Sequence, residues 1–516
     1  MRAQERETAE GLLYADLYQL TMAQLYYFQG LHEQEAQFDY FFRTNPDYGE
    51  HQAGYCVFAG LDDLLGHLED VAVRPEDVEL LRGLRTGGGD RLFQEDFLDW
   101  LTGLGDLGGV QLRAVDEGRV VHPGTPLVIA RGPLAVVQLL ESALLNLLNF
   151  PTLIATKAAR LRQAAGDAVV SDFGLRRGQG RGVTAGSRAA LIGGADTSSN
   201  TGASILMGVA PAGTHAHSMV QAFIANGGSE LDAFRAYAEV YPNDCLLLID
   251  TVDTLHSGLP NAITVFEELR TRGHEPRGIR LDSGDLAHLA VACAAELDRA
   301  GFPAAAIVLS NQLDELTIMQ VRSQVEAEAK QLGLEAQRVL GRLSYGVGTR
   351  LMVSEGAPAL DGVFKLVATR AGSEWRPAIK VSDSPAKTVT PGPKSLWRVY
   401  DDCGRATADL IALDSERPQP DSALTLHHPG DPQLTRVLPP RQVGRVEPLL
   451  AEVWNAGRRL APEPGIATLR ERRLRDEAAL DIGVRRLLNP HVYHVSLSKQ
   501  LWDLKRRTIA AAGRAP

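Results

Sequence analysis

Cysteine is scarce in this chain of 516 residues. The four cysteines lie far apart, and neither a Cys-x-x-Cys pair nor a Cys/His run at metal-ligand spacing occurs. A disulfide-rich secreted scaffold and a zinc module are therefore not indicated. We expect reduced and mostly buried thiols at Cys56, Cys245, Cys293 and Cys403.

Long apolar runs and an excess of positive charge are missing as well. No run of about 18 apolar residues occurs, and the first twenty residues are charged without an apolar signal core. We therefore expect no membrane span and a cytoplasmic location. The formal net charge of -11 provides no long-range field for nucleic acid, so any phosphate site must be local.

Two common nucleotide-binding signatures are also absent. The sequence has no GxxxxGK[ST] P-loop, and no GxGxxG follows an early strand with an acidic residue about 20 positions later. The segment RGQGRG follows a strand but lacks that spacing. An NAD-binding oxidoreductase is therefore disfavoured.

Composition allows several hydrophobic cores, because 44% of the residues are hydrophobic and 23% are charged. Two or three domains are expected at this length. We predict an N-terminal α/β domain over 1–150, able to receive later chain segments, and an α/β barrel with active-site loops over 151–400. A C-terminal region over 401–516 is predicted to combine a proline-rich connection with mostly helical structure.

A βα rhythm begins near Ala168, where short apolar runs alternate with polar loops and helical segments. The number of runs favours an irregular parallel α/β barrel of TIM-like type, with a doubly wound open sheet as the alternative. The predicted strands are Ala168–Val170, Ser204–Val209, Cys245–Ile249, Gly278–Leu281, Ala305–Leu309 and Leu343–Tyr345.

Chemically important side chains of a parallel barrel belong at the carboxyl ends of its strands. The segment DFGLRR after the first run offers an aromatic face and guanidinium groups for a flat anionic ligand, although a core phenylalanine between solvated arginines is the simpler reading. In AGTHAHS, His217 falls near a helix N-terminus. It is a candidate proton shuttle or phosphoryl acceptor, or merely a capping histidine.

Later strand ends supply further polar groups. Asp250 is a carboxylate that could hold one ring nitrogen of His217 while the other reacts, and Arg280 and Asp282 project to the same side of an extended strand. The glycines of YGVGTR let backbone N–H groups approach a phosphate, although short Gly-x-Gly pieces are common turns. Lys387 and Lys394 could screen pyrophosphate, solvated surface lysines being the default.

Taken in order, these segments resemble the nicotinate phosphoribosyltransferase family. The resemblance runs from the N-terminal region to the tail, through YADLYQLTMA, FDYFFRTNP, FAGL, LLNLLNF, TKAARL, SDFGLRR, GTHAHS, IDTVDT, RLDSGDL, SYGVGT, PGPKSLWR and RRLLNPHVYHVSLSKQLWDL. It implies a type II phosphoribosyltransferase fold, in which an N-terminal α/β domain accompanies an irregular α/β barrel. It also implies a homodimer with active sites at the subunit interface.

The resemblance further implies the reaction of nicotinate with phosphoribosyl pyrophosphate (PRPP) to give nicotinate mononucleotide and pyrophosphate, in the biosynthesis of NAD. Nicotinate, PRPP and ATP are the implied small-molecule partners. ATP hydrolysis is coupled through a phosphohistidine, and Mg²⁺ is implied without assigned ligands.

Site residues follow from the resemblance by position. His217 matches the phosphorylated histidine, His215 does not, and Asp250 matches the carboxylate that orients His217. Tyr18 would cover the pyridine ring from the neighbouring subunit, opposite Phe173. The other matched residues are Arg176, Asp196, Thr214 and Arg280 for nicotinate, and Asp282, Ser283, Ser310, Asn311, Gly346, Gly348 and Thr349 for PRPP.

Two alternatives remain open. A nicotinamide-using transferase of the same fold is disfavoured by the segments DLYQLTM and RLDSGDL. A non-catalytic nucleotide-binding relative is expected to have lost His217, Asp250 or Asp282, and all three are present.

Overall fold

The computed structural model describes residues 2–49, 51–180, 182–380, 388–460 and 462–513. The chain forms two compact units, unit 1 being Met1–Thr156 with Ala359–Pro516 and unit 2 being Lys157–Pro358. The three-part division predicted from the sequence, with boundaries near 150 and 400, stays a prediction. Among the described residues, no helix combines the length and apolar character needed to cross a membrane.

The strands and helices alternate unevenly along the chain. The strands are β1 Glu35–Phe42, β2 Cys56–Val57, β3 Gln111–Val115, β4 Val120–Val121, β5 Val128–Pro133, β6 Val169–Asp172, β7 Thr197–Ser198, β8 Leu246–Leu248, β9 Gly278–Leu281, β10 Ala306–Ser310, β11 Leu343–Val347, β12 Gly362–Ala371, β13 Glu374–Pro377, β14 Lys394–Tyr400, β15 Ala406–Leu413, β16 Leu424–His427, β17 Thr435–Leu438, β18 Arg445–Pro448, β19 Leu450–Asn455, β20 Arg458–Arg459 and β21 Val495–Leu497. The α-helices are α1 Ala3–Glu10, α2 Leu17–Phe28, α3 Leu61–Asp70, α4 Pro75–Gly83, α5 Glu95–Leu104, α6 Leu134–Leu139, α7 Glu141–Ala165, α8 Gly182–Gly193, α9 Thr201–Leu206, α10 His217–Ala225, α11 Glu230–Val240, α12 Leu259–Thr271, α13 Leu286–Arg299, α14 Glu315–Gln331, α15 Ala336–Leu340, α16 Thr349–Met352, α17 Ile466–Ala479 and α18 Lys499–Ala511.

Unit 1 contains an antiparallel sheet in the order β13-β12-β1-β5-β3-β19-β20. Its central strand β1 pairs with β12 and β5 along nearly its whole length. Phe38 stacks on Phe364 with ring centroids 5.1 Å apart. Asp39 points to the opposite face of β1 from Phe38, because successive side chains of a strand alternate between its faces. It is buried there and accepts hydrogen bonds from Gln37 and from Lys394. Both faces of β1 are therefore buried, one by aromatic packing and one by paired polar groups.

The C-terminal region of unit 1 is not mostly helical, so that prediction was wrong. A second sheet, in the order β17-β16-β21-β15-β14-β18, occupies it together with α17 and α18. The proline-rich stretch itself contributes β16 and β17. These strands are short, and their apolar residues become buried only when β14, β15 and β16 assemble, so local periodicity did not reveal them.

A cluster of buried ion pairs ties α17 to this sheet. Arg398 donates two hydrogen bonds to the carboxylate of Asp409 and one to Asp476 of α17. Arg119 donates to the same Asp476 and to Glu447. Removal of one cation leaves a buried carboxylate without a compensating charge. This lowers the stability of the fold by more than the intact ion pair contributes to it.

Lys394 is a buried partner of Asp39, so the alternative of a solvated surface lysine does not apply to it. Lys387 lies outside the described residues. A role for either lysine at pyrophosphate stays a prediction.

We predict that Arg398→Met lowers the free energy of unfolding of unit 1 by about 3–5 kcal/mol, because buried Asp409 loses its cation and buried Asp476 loses one of its cations while keeping Arg119. Urea denaturation followed by circular dichroism measures the change. Arg405→Met is the control, since Arg405 pairs with Asp401 at an exposed turn, and a much smaller loss of stability is expected for it. Equal effects of the two variants would contradict the argument.

Unit 2 is built on a parallel sheet in the order β7-β6-β11-β10-β9-β8. Five of the six predicted runs overlap one of its strands. The run Ser204–Val209 was assigned wrongly, because α9 covers its first half and the strand at this place is Thr197–Ser198. The Asn200 side chain accepts a hydrogen bond from the Ala203 N–H and caps α9.

Closure of this sheet into a barrel is not confirmed. No pairing among the described residues joins the edge strands β7 and β8, which contain only two and three residues. The coarser expectation, an α/β unit with a parallel sheet and helices after its strands, is confirmed.

Candidate active site

The candidate site lies at the carboxyl edge of the parallel sheet of unit 2. Because every strand pair in this sheet is parallel, the carboxyl ends of β6, β8, β9, β10 and β11 meet at one edge. The residues that the sequence placed after these strands therefore come together even though they are spread over almost 180 positions of the chain.

His217 is the first residue of α10, and its imidazole is partly exposed at this edge. Its Nδ1 lies 3.1 Å from the hydroxyl of Thr251. Its Nε2 lies 3.8 Å from a carboxylate oxygen of Asp250 and 4.0 Å from one of Asp282. The two ring nitrogens thus face different chemistry, a hydroxyl on one side and two carboxylates on the other.

Asp250 organises the ends of two strands. One of its oxygens accepts hydrogen bonds from the backbone N–H of Asp282 at 3.0 Å and from the Ser283 hydroxyl at 2.5 Å. Its other oxygen is buried, faces His217 and has no hydrogen-bond partner among the described residues. A buried carboxylate oxygen without a donor favours a cation or an N–H group beside it.

Arg280 bridges the polar and aromatic parts of the site. Its Nε donates to the Ser310 hydroxyl at 3.0 Å, and that hydroxyl donates to Asp282 at 2.6 Å. The guanidinium carbon lies 5.1 Å from the centre of the Phe173 ring. A cation beside an aromatic face is suited to a flat ligand that carries a negative charge.

Phe173 is held close to the glycine-bearing strand β11. Its backbone N–H donates to the Val347 carbonyl at 2.8 Å. A Cβ placed on Gly346 would lie 2.3 Å from the Phe173 ring, closer than any normal contact, whereas Gly348 leaves somewhat more room. Glycine at 346 is therefore required by the aromatic ring rather than by an unusual backbone angle.

The turn that presents Phe173 is fixed by Asp172, whose part sequence reasoning did not assign. One carboxylate oxygen of Asp172 accepts from the Gly174 N–H and the other from the Ser198 hydroxyl, both at 2.7 Å. Burial raises the pKa of Asp172 above its ordinary value. The signal available in the sequence was an acidic residue directly before the aromatic one.

Thr251 was also missed, although it follows Asp250 directly. Asn311 was identified, and the structure adds that its φ of 115° lies in the left-handed region, where a residue other than glycine is strained. Such strain often accompanies ligand sites.

Four predicted residues are not part of this hydrogen-bonded cluster. Tyr18 lies on α2 of unit 1 and is 47% exposed. Asp196 accepts hydrogen bonds from Arg162 of α7 and from the Val170 N–H of β6, which ties the loop before β7 to these two elements. Arg176 donates a hydrogen bond to the Phe173 carbonyl, and the Thr214 hydroxyl donates one to the His215 carbonyl. Their nicotinate-binding roles stay predictions, and the contacts of Asp196 do not support its role.

The two histidines of THAH differ in environment. His215 accepts the Leu248 N–H at its Nε2, 3.0 Å away, and burial lowers the pKa of His215 to about 4. It is therefore a neutral structural residue near pH 7, in contrast to His217, which reaches the site.

These contacts define the class of protein, an α/β protein whose parallel-sheet edge can bind an anionic ring beside a phosphate-bearing ligand. Two family models match the chain, the nicotinate phosphoribosyltransferase N-terminal domain over residues 13–149 and the corresponding C-terminal domain over residues 393–505. Relatives named nicotinate phosphoribosyltransferase include one from Bacillus subtilis, 36% identical over 96% of this chain and 95% of the relative. The human one is 34% identical over 99% of both chains.

The chain therefore belongs to the nicotinate phosphoribosyltransferase family. The crystal structure of human nicotinic acid phosphoribosyltransferase has a TM-score of 0.78 and 30% sequence identity, and the match covers 95% of this chain and 99% of that one. A nicotinate-nucleotide pyrophosphorylase from Pyrococcus furiosus, with a TM-score of 0.64 and 19% identity, shares the fold.

We predict that Gly346→Ala destabilises unit 2 by about 1–3 kcal/mol, because its new methyl group overlaps the Phe173 ring. Gly213→Ala is the matched control, since a Cβ there meets nothing within 4 Å. Chemical denaturation of the two variants measures the difference. Should Gly346→Ala be as stable as the control, the ring is free to move and the proposed constraint is absent.

Proposed function

We propose that this chain catalyses the transfer of the phosphoribosyl group of PRPP to nicotinate, giving nicotinate mononucleotide and pyrophosphate. The observation that carries the proposal is the Arg280 guanidinium beside the Phe173 ring, in contact with the Ser310–Asp282 pair. This arrangement provides an aromatic face, a cation for the nicotinate carboxylate and polar groups for a ribose within one cluster.

The ring nitrogen of nicotinate attacks C1 of PRPP in this reaction. The N–C1 bond forms as the bond from C1 to the pyrophosphate oxygen breaks, and the electron pair leaves with pyrophosphate through an oxocarbenium-like transition state. Asp282, Ser310 and Asn311 are proposed to bind the ribose hydroxyls, with Ser283 beside them. The segment of Gly346, Gly348 and Thr349 is proposed to receive the 5′-phosphate. Since the nucleophile needs no activation, positioning and charge stabilisation supply most of the rate enhancement.

Mg²⁺ fits the donor set at this edge. Magnesium is commonly held by one or two carboxylates together with substrate phosphates and water. Asp282 and the partnerless oxygen of Asp250 lie close to His217 and offer such carboxylates. When bound, Mg²⁺ would neutralise charge on pyrophosphate.

We further propose that His217 becomes phosphorylated by ATP. With Asp250 and Asp282 facing Nε2, the ring proton is stabilised on that nitrogen, and Nδ1 keeps its lone pair and accepts the Thr251 hydroxyl hydrogen bond. Nδ1 then attacks the γ-phosphorus. The N–P bond forms, the bond to the bridging oxygen breaks, and ADP leaves; water later hydrolyses the phosphohistidine.

We also propose that the protein has the barrel and the dimeric assembly that the family resemblance implies. The parallel sheet of unit 2 is taken as part of an irregular α/β barrel, and the enzyme as a homodimer in which Tyr18 of one subunit covers the nicotinate ring of the other. The exposure of Tyr18 on α2 supports this role. A cytoplasmic location is supported by the free thiols of Cys56, Cys245 and Cys293.

The decisive experiment compares nucleotide formation from nicotinate and from nicotinamide, with PRPP and Mg²⁺, in the presence and absence of ATP. We expect nicotinate-dependent product whose formation ATP stimulates, and loss of that stimulation in His217→Ala. His256→Ala is the matched control, because His256 is exposed and pairs with Asp253 outside the cluster around His217. Activity with nicotinamide alone would contradict the assignment of nicotinate as the substrate. No activity with either compound would identify a non-catalytic relative.

Substitution of Arg280 tests whether its guanidinium binds the negatively charged carboxylate of nicotinate. Arg280→Gln is expected to raise the KM for nicotinate about 10- to 100-fold, because a charge-assisted contact contributes about 1.5–3 kcal/mol. The preference for nicotinate over nicotinamide is expected to fall by a similar factor. Steady-state kinetics with Arg277→Gln, an exposed arginine just before the same strand, supply the control. An unchanged preference would show that Arg280 does not bind the carboxylate.

A further inference from the structure

Unit 1 contains a cavity of about 1090 Å³ lined by none of the residues proposed above to bind nicotinate, the ribose or the 5′-phosphate. Its walls come from both sheets of unit 1 and from the segment before β21. A cavity of this volume is as large as the sites that hold drug-sized ligands. Apolar walls are supplied by Val389, Ile411, Leu426, Leu434 and Val495.

The polar lining of the cavity is mostly basic, although the whole chain is acidic. Four lysine or arginine side chains and four histidines line it, against two aspartates. Asp39 is already paired with Lys394, and Asp431 accepts the Gln433 N–H of its own turn. The two carboxylates therefore leave most of the basic side chains of the lining without a compensating negative charge.

Lys505 is one of the buried basic groups of this lining. Its side chain, on α18, is 93% buried, and its Nζ donates to the Pro429 carbonyl at 3.1 Å. In the described part of the chain no carboxylate forms an ion pair with it. Burial and the nearby Lys394 lower the pKa of Lys505 to about 8. An anion beside Nζ would supply the missing compensation.

His122 is a second buried group that points to a ligand. It is 1% exposed, lines the same cavity, and neither ring nitrogen has a hydrogen-bond partner among the described residues. The imidazole stacks on Tyr493 with ring centroids 3.7 Å apart, which holds it in place. One nitrogen of a neutral imidazole is a donor, and a buried donor without an acceptor is costly.

The mouth of the cavity carries further donors. His428 accepts the N–H groups of Gly430 and Asp431 at Nδ1, so its Nε2 is free to donate. Burial, together with Arg436 and His428, lowers the pKa of His494, which places these three basic side chains near one another.

We propose that this cavity binds a small organic phosphate, with the phosphate at Lys505 and the mouth donors and the organic part against the apolar walls. Lysine, arginine and histidine together match a multiply charged oxyanion. The volume exceeds what inorganic phosphate alone would fill. All of the lining residues belong to unit 1, whereas the sheet edge with His217 belongs to unit 2, so the proposal is argued from other residues than the proposed transferase function.

The test is equilibrium dialysis of the full-length protein with labelled ATP, AMP and inorganic phosphate, counting sites and measuring Kd. Lys505→Met is expected to remove one ATP or AMP site per chain, or to weaken it at least tenfold. Lys499→Met is the matched control, because Lys499 lies on the same helix and pairs with Asp503 at the surface. The control should bind like wild type.

A second variant keeps the test valid if Lys505→Met fails to fold. Arg436 is exposed at the mouth, so Arg436→Gln should fold normally and weaken the same site. Unchanged site number and Kd in both variants would overturn the proposal. Binding of inorganic phosphate alone would overturn the organic class. A change confined to the KM for PRPP, with no site lost, would assign these residues to the transferase site.

Discussion

The carboxylate of Asp250 links the separate parts of the catalytic edge. Its hydrogen bonds to the Asp282 backbone and the Ser283 side chain fix the loop after β9 against the end of β8. Its second oxygen is buried and faces Nε2 of His217 at 3.8 Å. Through Asp282 and Ser310 the same network reaches Arg280. Asp250 is therefore the residue that contacts both His217 and the loop carrying the proposed ribose-binding groups.

The aromatic part of the site depends on a second set of contacts. Asp172 holds the turn after β6 through Gly174 and Ser198, and the absence of a side chain at Gly346 leaves room for the Phe173 ring. Steric fit therefore positions the ring, and hydrogen bonds position the loop that bears it. Unit 1 uses charge in a different way, since its buried ion pairs join α17 to the C-terminal sheet.

Much of the candidate site could be predicted because parallel strands place their carboxyl ends at one edge. His217, Asp250, Arg280, Asp282 and Ser310 were identified from their positions after apolar runs and from the family resemblance, and the structure brings them together. Thr251 was missed because a hydroxyl beside a carboxylate has no distinctive spacing. The C-terminal sheet was missed because its strands gain their burial only from one another.

The sequence alone determined the family, the βα rhythm of unit 2 and the order in which polar groups follow its strands, since these are carried by contiguous residues. Tertiary structure alone decided which nitrogen of His217 faces carboxylates and that His215 is buried and neutral. It also decided that Lys394 pairs with Asp39, whereas Lys505 donates to a backbone carbonyl. Each of these depends on distances between residues remote in the chain. Burial and partner geometry arise only when those segments pack, and no local pattern encodes them.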